Sequence, residues 1–167
     1  MNPFVPIFDG DLELGRIPND FAARLHKRVE DGFLVKGQRS PRVRYTVRSE
    51  SSDEITLAAG NFLTAYNVGL NNVSICRGGP TSLHYHVSYW RWTLTAVVHG
   101  LILGFLFLAI FAAFPGMREQ IAAQWFGLSI FTGLLVFFCL LWPWILTAIH
   151  RPIAEKTLQR ILREVMA

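Results

Sequence analysis

Two histidines separated by one residue, His84 and His86, have the spacing of a metal-chelating pair. They belong to the run SLHYHVSYW, whose alternation predicts a strand, and residues two apart on a strand point to the same face. A metal site needs a third and usually a fourth ligand, and no cysteine or carboxylate lies nearby in the sequence. Two interpretations stay open: a metal site completed from another chain, or histidines that are exposed or paired across strands.

A third histidine, His99, lies inside an apolar run that predicts a membrane-spanning helix. It follows Trp92 by about seven residues, which is roughly 10 Å of helical rise. An ionisable group at this depth is unfavourable unless it faces protein, water or a metal, so His99 could ligate haem or a chlorophyll magnesium, or bond to a neighbouring subunit. The simpler interpretation is a neutral, buried imidazole bonded to a hydroxyl such as that of Thr95. We predict no cofactor and keep haem or chlorophyll as the alternative.

The longest basic stretch runs from residue 36 to residue 48 and contains no acidic residue. Close to a membrane, such side chains attract anionic headgroups with about 1 kcal/mol per residue. They could equally bind an acidic partner surface, or form a solvated loop and a charged strand edge that discourages stray pairing. The basic residues are Lys36, Arg39, Arg42, Arg44 and Arg48.

Motifs for nucleophilic hydrolysis, metalloprotease chemistry, phosphate binding and dinucleotide binding are absent from the sequence. The apolar runs contain no acidic residue, which argues against a proton relay or a cation pathway. The net charge of +4 is too small to favour nucleic acid as a partner. The sequence therefore predicts a protein that is not an enzyme.

Two long runs without charged residues determine the fold class. The chain is 51% hydrophobic and 17% charged, whereas soluble domains are roughly 25% charged. About 20 apolar residues cross the roughly 30 Å hydrocarbon layer, so we predict transmembrane helices over 92–114 and 123–149, separated by a break at Pro115-Gly116. The two helices form a transmembrane hairpin over residues 92–149. Together with the helices and strands predicted outside it, this hairpin gives the fold class of an α+β membrane protein.

Basic residues flank the two spans on one side, whereas the loop between them has only Arg118, balanced by Glu119. The positive-inside rule therefore predicts that both termini are cytoplasmic and that the tip at 115–121 lies outside the cytoplasmic (inner) membrane. Small residues recur every four positions in both spans, a pattern that lets helix backbones approach closely. They pack the hairpin together or contact another subunit, and they are Ala96, Gly100, Gly104, Ser129 and Gly133.

The remaining residues predict a small cytoplasmic domain. Residues 1–18, rich in proline and glycine, read as an extended apolar arm that is neither helix nor strand. Within the α+β domain at 19–91, a helix begins at Asn19 or Asp20 and ends near Gly32, and alternating runs after residue 42 predict an antiparallel meander of four or five strands. Pro152 opens a C-terminal amphipathic helix, residues 150–167, which lies among lipid headgroups or packs against the meander.

These features favour a non-catalytic membrane subunit that assembles with other integral membrane subunits, such as those of a respiratory or photosynthetic electron-transfer complex. The alternative is a membrane-anchored module that binds lipid headgroups or a small ligand. The third hypothesis is a haem or chlorophyll carrier that uses His99.

Overall fold

A computed structural model describes residues 5–37, 44–61 and 69–167 of the chain. Contacts divide it into two compact units, residues 1–92 with 149–167 and residues 93–148. The first unit contains a β-sheet and two helical segments, and the second consists of helices.

The sheet has five strands in the order β1-β5-β4-β3-β2, and all neighbours are antiparallel. Strands β2 to β5 follow one another as the predicted meander, which is confirmed. One of the runs after residue 42 that predict the meander, NFLTAYNV, falls mostly on residues 62–68, outside the described ranges. The strands are β1 Ile7–Glu13, β2 Tyr45–Glu50, β3 Glu54–Ala59, β4 Asn72–Arg77 and β5 Ser82–Ser88.

Strand β1 corrects the prediction that the N-terminal arm is neither helix nor strand. It pairs with β5 along its whole length and buries Phe8 and Leu12, while Asp9 and Asp11 stay exposed. Its turn-like composition obscured this period of two, because aspartate and glycine are depleted in strands. Gly10 is required because a Cβ there would meet the ring of Tyr85 on the neighbouring strand.

Helix α1, Phe21–Gly32, confirms the predicted helix, and it covers the buried face of the sheet with Phe21, Leu25 and Val29, which recur every four residues. The helix ends at Gly32, whose φ of 110° suits glycine. Arg28 also belongs to the buried side of this helix. Its side chain is 8% exposed, and its Nη2 lies 3.1 Å from Oε2 of Glu164.

The C-terminal residues pack against this same core. Helix α5 runs from Trp142 to Met166 without interruption, so Pro152 lies inside a helix. The prediction that Pro152 opens a separate C-terminal helix is therefore wrong. The buried side chains of its last turns settle the choice left open above in favour of packing against the meander; they are Ala154, Leu158, Ile161, Leu162 and Met166.

The second unit is built from α2 (Trp90–Ala113), α3 (Pro115–Ala123) and α4 (Gly127–Val136), which continues through a π-helical segment at Phe137–Leu141 into α5. By length and composition, two stretches could cross a membrane: Trp90–Ala113 and Gly127–Met166, whose most apolar 18-residue windows have mean hydropathy of 2.5 and 2.1. The predicted apolar helices are thus confirmed as helices, and their insertion into a membrane stays a prediction.

The π-helical segment ends two residues before a proline. Pro143 has no N–H for the carbonyl of Cys139, and its ring would crowd that carbonyl in a regular α-helix. The backbone N–H of Trp142 instead bonds to Phe137, five residues back, which widens the turn. Proline is therefore accommodated without ending the helix.

Candidate functional site on the polar face of the sheet

The sheet has one buried face and one polar face. Leu57, Val73 and Tyr85 point into the core, whereas most of their sequence neighbours on the other face are polar and partly exposed. We call this surface the polar face, and its residues are Asp9, Asp11, Glu54, Thr56, Ser74, Cys76, His84 and His86.

The two histidines of β5 each contact a carboxylate of β1. Nδ1 of His84 lies 2.8 Å from Oδ1 of Asp11, and Nδ1 of His86 lies 2.5 Å from Oδ1 of Asp9. These residues are direct cross-strand partners, and the side chains of His84 and His86 are 43% and 47% exposed. The structure thus contains the cross-strand pairing that the sequence left open, and it supplies carboxylates that are more than 70 residues away along the chain.

Sequence reasoning missed Asp9 and Asp11 because it did not place the N-terminal arm in the sheet. The alternation of Phe8, Gly10 and Leu12 with the two aspartates was the available signal. Once β1 is a strand, its acidic side chains must share one face, and antiparallel pairing with β5 places them opposite the histidines.

Strand β4 adds a hydroxyl and a thiol to the same rows. Ser74 is the partner of His86, and Cys76 is the partner of His84, so the rows have the residue types of hydrolytic triads. In the part of the chain that the structure describes, neither nucleophile is hydrogen-bonded to its histidine; the Ser74 hydroxyl instead lies 3.0 Å from Oγ1 of Thr56. The rows therefore lack the contact that activates a nucleophile.

The Cys76 thiol is also poorly suited to nucleophilic attack. Burial raises its pKa, and the carboxylates of Glu54 and Asp11 raise it further by disfavouring the thiolate. A reactive cysteine needs the opposite surroundings, with positive charge that stabilises the anion. Its chemistry is therefore that of a partly buried thiol in a sheet.

The predicted metal site has no complete ligand set in the described ranges. No group of three or more histidine, cysteine, aspartate or glutamate side chains there could hold a metal ion. His84 and His86 lie on the same strand and the same face, so the histidine pair predicted from the spacing is present. Their cross-strand partners are Asp11 and Asp9.

His99 lies exposed on α2, which differs from the predicted buried position. The buried side of that helix is the row of small residues Ala96, Gly100 and Gly104. Because helical residues advance by about 100° each, His99 and Gly100 point in different directions. Cofactor binding by His99 stays an untested hypothesis.

The small residues of the two spans have different surroundings. A Cβ on Gly100 would lie 2.5 Å from the Phe138 carbonyl oxygen, and one on Gly104 would meet the Cys139 sulfur. These residues pack the helices of the second unit together. Ser129 and Gly133 are exposed, and a Cβ on Gly133 would meet no atom within 4 Å.

Three of the five basic residues proposed to bind lipid or a partner are described. Lys36, Arg44 and Arg48 are exposed, and Arg48 lies on β2 at the edge of the sheet. Arg39 and Arg42 fall outside the described residues. Charged side chains at a sheet edge also disfavour pairing with a further strand. The exposed positions therefore agree both with binding of lipid or a partner and with a charged edge that discourages stray pairing.

A cavity of about 350 Å³ lies in the second unit, among residues of α2, α3 and α4. Phe107, Phe111 and Phe131 contribute to its lining, and Gln124 is the one polar side chain there.

Comparisons of the chain with protein-family models, curated proteins and solved structures give no match. Function must therefore be inferred from the chain's own surfaces.

Proposed function

We propose that this chain is a non-catalytic integral membrane subunit that stabilises or helps to assemble a larger membrane complex. The observation that supports it is the apolar surface left uncovered by the chain itself. In the most apolar windows of Trp90–Ala113 and Gly127–Met166, only 17% and 11% of the residues are buried. The core helix of a soluble protein would be mostly buried, so hydrocarbon or other subunits must cover these helices.

Orientation follows from the distribution of charge. Arg77 and Arg91 precede the predicted span at 92–114, and four basic residues follow the predicted span at 123–149, whereas the tip between the spans has only Arg118, balanced by Glu119. The positive-inside rule favours a cytoplasmic sheet unit with both termini inside, and the cytoplasmic membrane as the location.

Contact with other subunits is supported by polar and small residues exposed on the apolar helices. Exposed small residues such as Ser129 and Gly133 allow a second helix to approach closely. The imidazole of His99 is unfavourable in hydrocarbon and is satisfied by a polar group of a neighbouring helix. Contact with lipid alone would make neither the exposed small residues nor the imidazole favourable.

Membrane topology can be tested with single cysteines in a variant whose Cys76 and Cys139 are replaced by serine. A membrane-impermeant maleimide should label Arg118→Cys in intact spheroplasts and Ser51→Cys only after lysis. The two positions are exposed, so labelling depends on the side of the membrane. Equal labelling of both before lysis, or recovery of the chain in the soluble fraction, contradicts membrane insertion with this topology.

Assembly can be tested by native electrophoresis after gentle solubilisation of membranes. The wild-type chain should migrate with partner subunits, and Gly133→Leu should reduce that fraction because the larger side chain blocks close helix approach. Leu134→Ile, at an exposed neighbouring position, is the matched control and should assemble normally. Migration of the wild-type chain as a detergent-bound monomer contradicts the proposal.

A further inference from the structure

We propose that His84 and His86 chelate one divalent transition-metal ion of the class that prefers imidazole, such as Zn²⁺, Cu²⁺ or Ni²⁺, on the polar face of the sheet. The inference is independent of membrane insertion, because every residue involved belongs to the unit that contains the sheet. It extends the spacing argument by adding two positioning residues, Asp9 and Asp11, which only the fold brings into contact with the histidines.

The strand geometry presents the two imidazoles side by side. His84 and His86 are two residues apart on β5, so their Cα atoms are separated by about 7 Å and their side chains leave the same face. Both rings are partly exposed, at 43% and 47%, and an ion can reach them from solvent. Both also lean toward β1, because each ring bonds to a carboxylate of that strand.

The carboxylates select the tautomer that a metal needs. Each Nδ1 is within hydrogen-bond distance of an aspartate oxygen, so in the neutral ring Nδ1–H donates to the carboxylate and Nε2 keeps its lone pair. Metal-binding histidines almost always have such a partner on the other nitrogen, which fixes the ring and makes it a stronger ligand. Here the arrangement occurs twice, on adjacent residues of the same face.

His26 also contacts a carboxylate through Nδ1, yet its Nε2 is not left available to a metal ion. Its Nδ1 lies 2.5 Å from Oε2 of Glu50 and its Nε2 lies 3.8 Å from Oε1 of Glu30, so carboxylates flank both nitrogens. These contacts raise the pKa of His26 and favour the imidazolium, which cannot bind metal. In the described part of the chain, Nε2 of His84 and Nε2 of His86 have no ion-pair partner.

Two imidazoles leave coordination positions open, since the described residues contain no third ligand in position. Water, or a donor from another molecule, completes the coordination shell. Among the divalent ions, Cu²⁺ binds a given set of nitrogen ligands most tightly, so it is the most sensitive probe.

The test is a titration of the full-length chain, without a polyhistidine tag and in detergent, with Cu²⁺ alone. Calorimetry gives the affinity, and electron paramagnetic resonance counts the nitrogen atoms bound to copper. The wild-type chain should bind one Cu²⁺ with two imidazole nitrogens. His84→Asn and His86→Asn should each lower the affinity at least tenfold and leave one nitrogen, whereas the matched control His26→Asn should change neither quantity.

The positioning role of the carboxylates has its own measurement. Asp9→Ala and Asp11→Ala should each weaken Cu²⁺ binding by about 10- to 100-fold. Asp9→Asn keeps an acceptor oxygen and should weaken it less. Circular dichroism of each variant verifies that the sheet is intact.

Three results overturn the proposal: no binding by the wild-type chain, binding that survives both His84→Asn and His86→Asn, or an equal loss in His26→Asn. The proposed function would be unaffected by any of them, because it depends on the apolar helices. Conversely, a monomeric or soluble chain would leave the metal site standing.

Discussion

His26 shows how two nearby carboxylates change the titration of one exposed side chain. The hydrogen bond to Glu50 is the main cause that raises the pKa of His26 above 6.5. Desolvation, the next-largest cause, opposes this shift, and the charges of Glu50 and Glu30 add to it. We expect the imidazole signals in NMR to titrate with a midpoint above 6.5, and Glu50→Gln to lower that midpoint. Glu30→Gln should lower it less. An unchanged midpoint in Glu50→Gln contradicts the contact.

The same pair links pH to the stability of the sheet unit. Because the pKa of His26 is higher in the folded chain than in the unfolded one, its stabilising contribution is complete below pH 6.5 and is lost as the pH rises through the raised value. In denaturant unfolding, the difference between the wild-type chain and Glu50→Gln should therefore shrink from pH 6 to pH 8. A difference that grows over this range would have the wrong sign.

Tyr85 joins the sheet to the C-terminal helix through its hydroxyl. The hydroxyl donates to Oε1 of Glu155 at 2.9 Å and accepts from Nε2 of Gln159 at 2.8 Å. Tyr85→Phe leaves both polar groups without this partner, so we expect the free energy of unfolding to fall by about 1–3 kcal/mol. Glu155→Gln, which keeps an acceptor oxygen, should cost less. Thermal denaturation in detergent measures both variants.

Residue positions were predictable where the determining pattern was local. Phe21 and Leu25 recur at helical spacing, and both are in the core. The Asp9–His86 and Asp11–His84 contacts join residues more than 70 positions apart, and nothing within either segment specifies the other. The site residues supplied by β1 therefore required the fold.

At the scale of elements, the two spans use their small residues differently. Gly100 faces the Phe138 carbonyl oxygen and the Pro143 ring, whereas a Cβ on Gly133 would meet no atom within 4 Å. Gly100→Leu should therefore lower the free energy of unfolding of the second unit by more than about 2 kcal/mol, because forcing bulk into a close contact typically costs about 1–3 kcal/mol. Gly133→Leu should leave the thermal unfolding of the isolated chain in detergent unchanged.

A result with equal destabilisation in both glycine variants would contradict this difference. Gly100→Ala adds a single methyl group and should be intermediate, because the helix has little room to shift at that contact. Helix propensity cannot explain the expected order, since alanine and leucine both favour helix more than glycine does.

Periodicity was sufficient for most elements but not for their ends. The long apolar runs and the alternation after residue 42 gave the helices and the meander. Strand β1 was missed because aspartate and glycine made its pattern resemble a loop, and Pro152 suggested a helix start because proline is common there. Tertiary packing overrode both local signals.

For the whole molecule, the described contacts give the sheet a core assembled from distant segments. The buried face of the sheet is covered by α1 near the N-terminus and by the last turns of α5. Both predicted spans, residues 92–114 and 123–149, lie between these two segments in the sequence. The sheet unit therefore depends on residues that follow the spans, and a chain ending at the second span would leave its core uncovered.

Adjacent residues near the C-terminus test this dependence. Leu162 is fully buried in the core, whereas its neighbour Arg163 is exposed. Leu162→Asp places a carboxylate among apolar side chains and should destabilise the sheet unit by several kcal/mol, while Arg163→Asp should change its stability by no more than about 0.5 kcal/mol. Hydrogen exchange of β5 in the detergent-solubilised chain should accelerate only in Leu162→Asp. Unchanged exchange there would mean that the sheet folds without the C-terminal helix, because its strand amides would then be protected by contacts that do not involve Leu162.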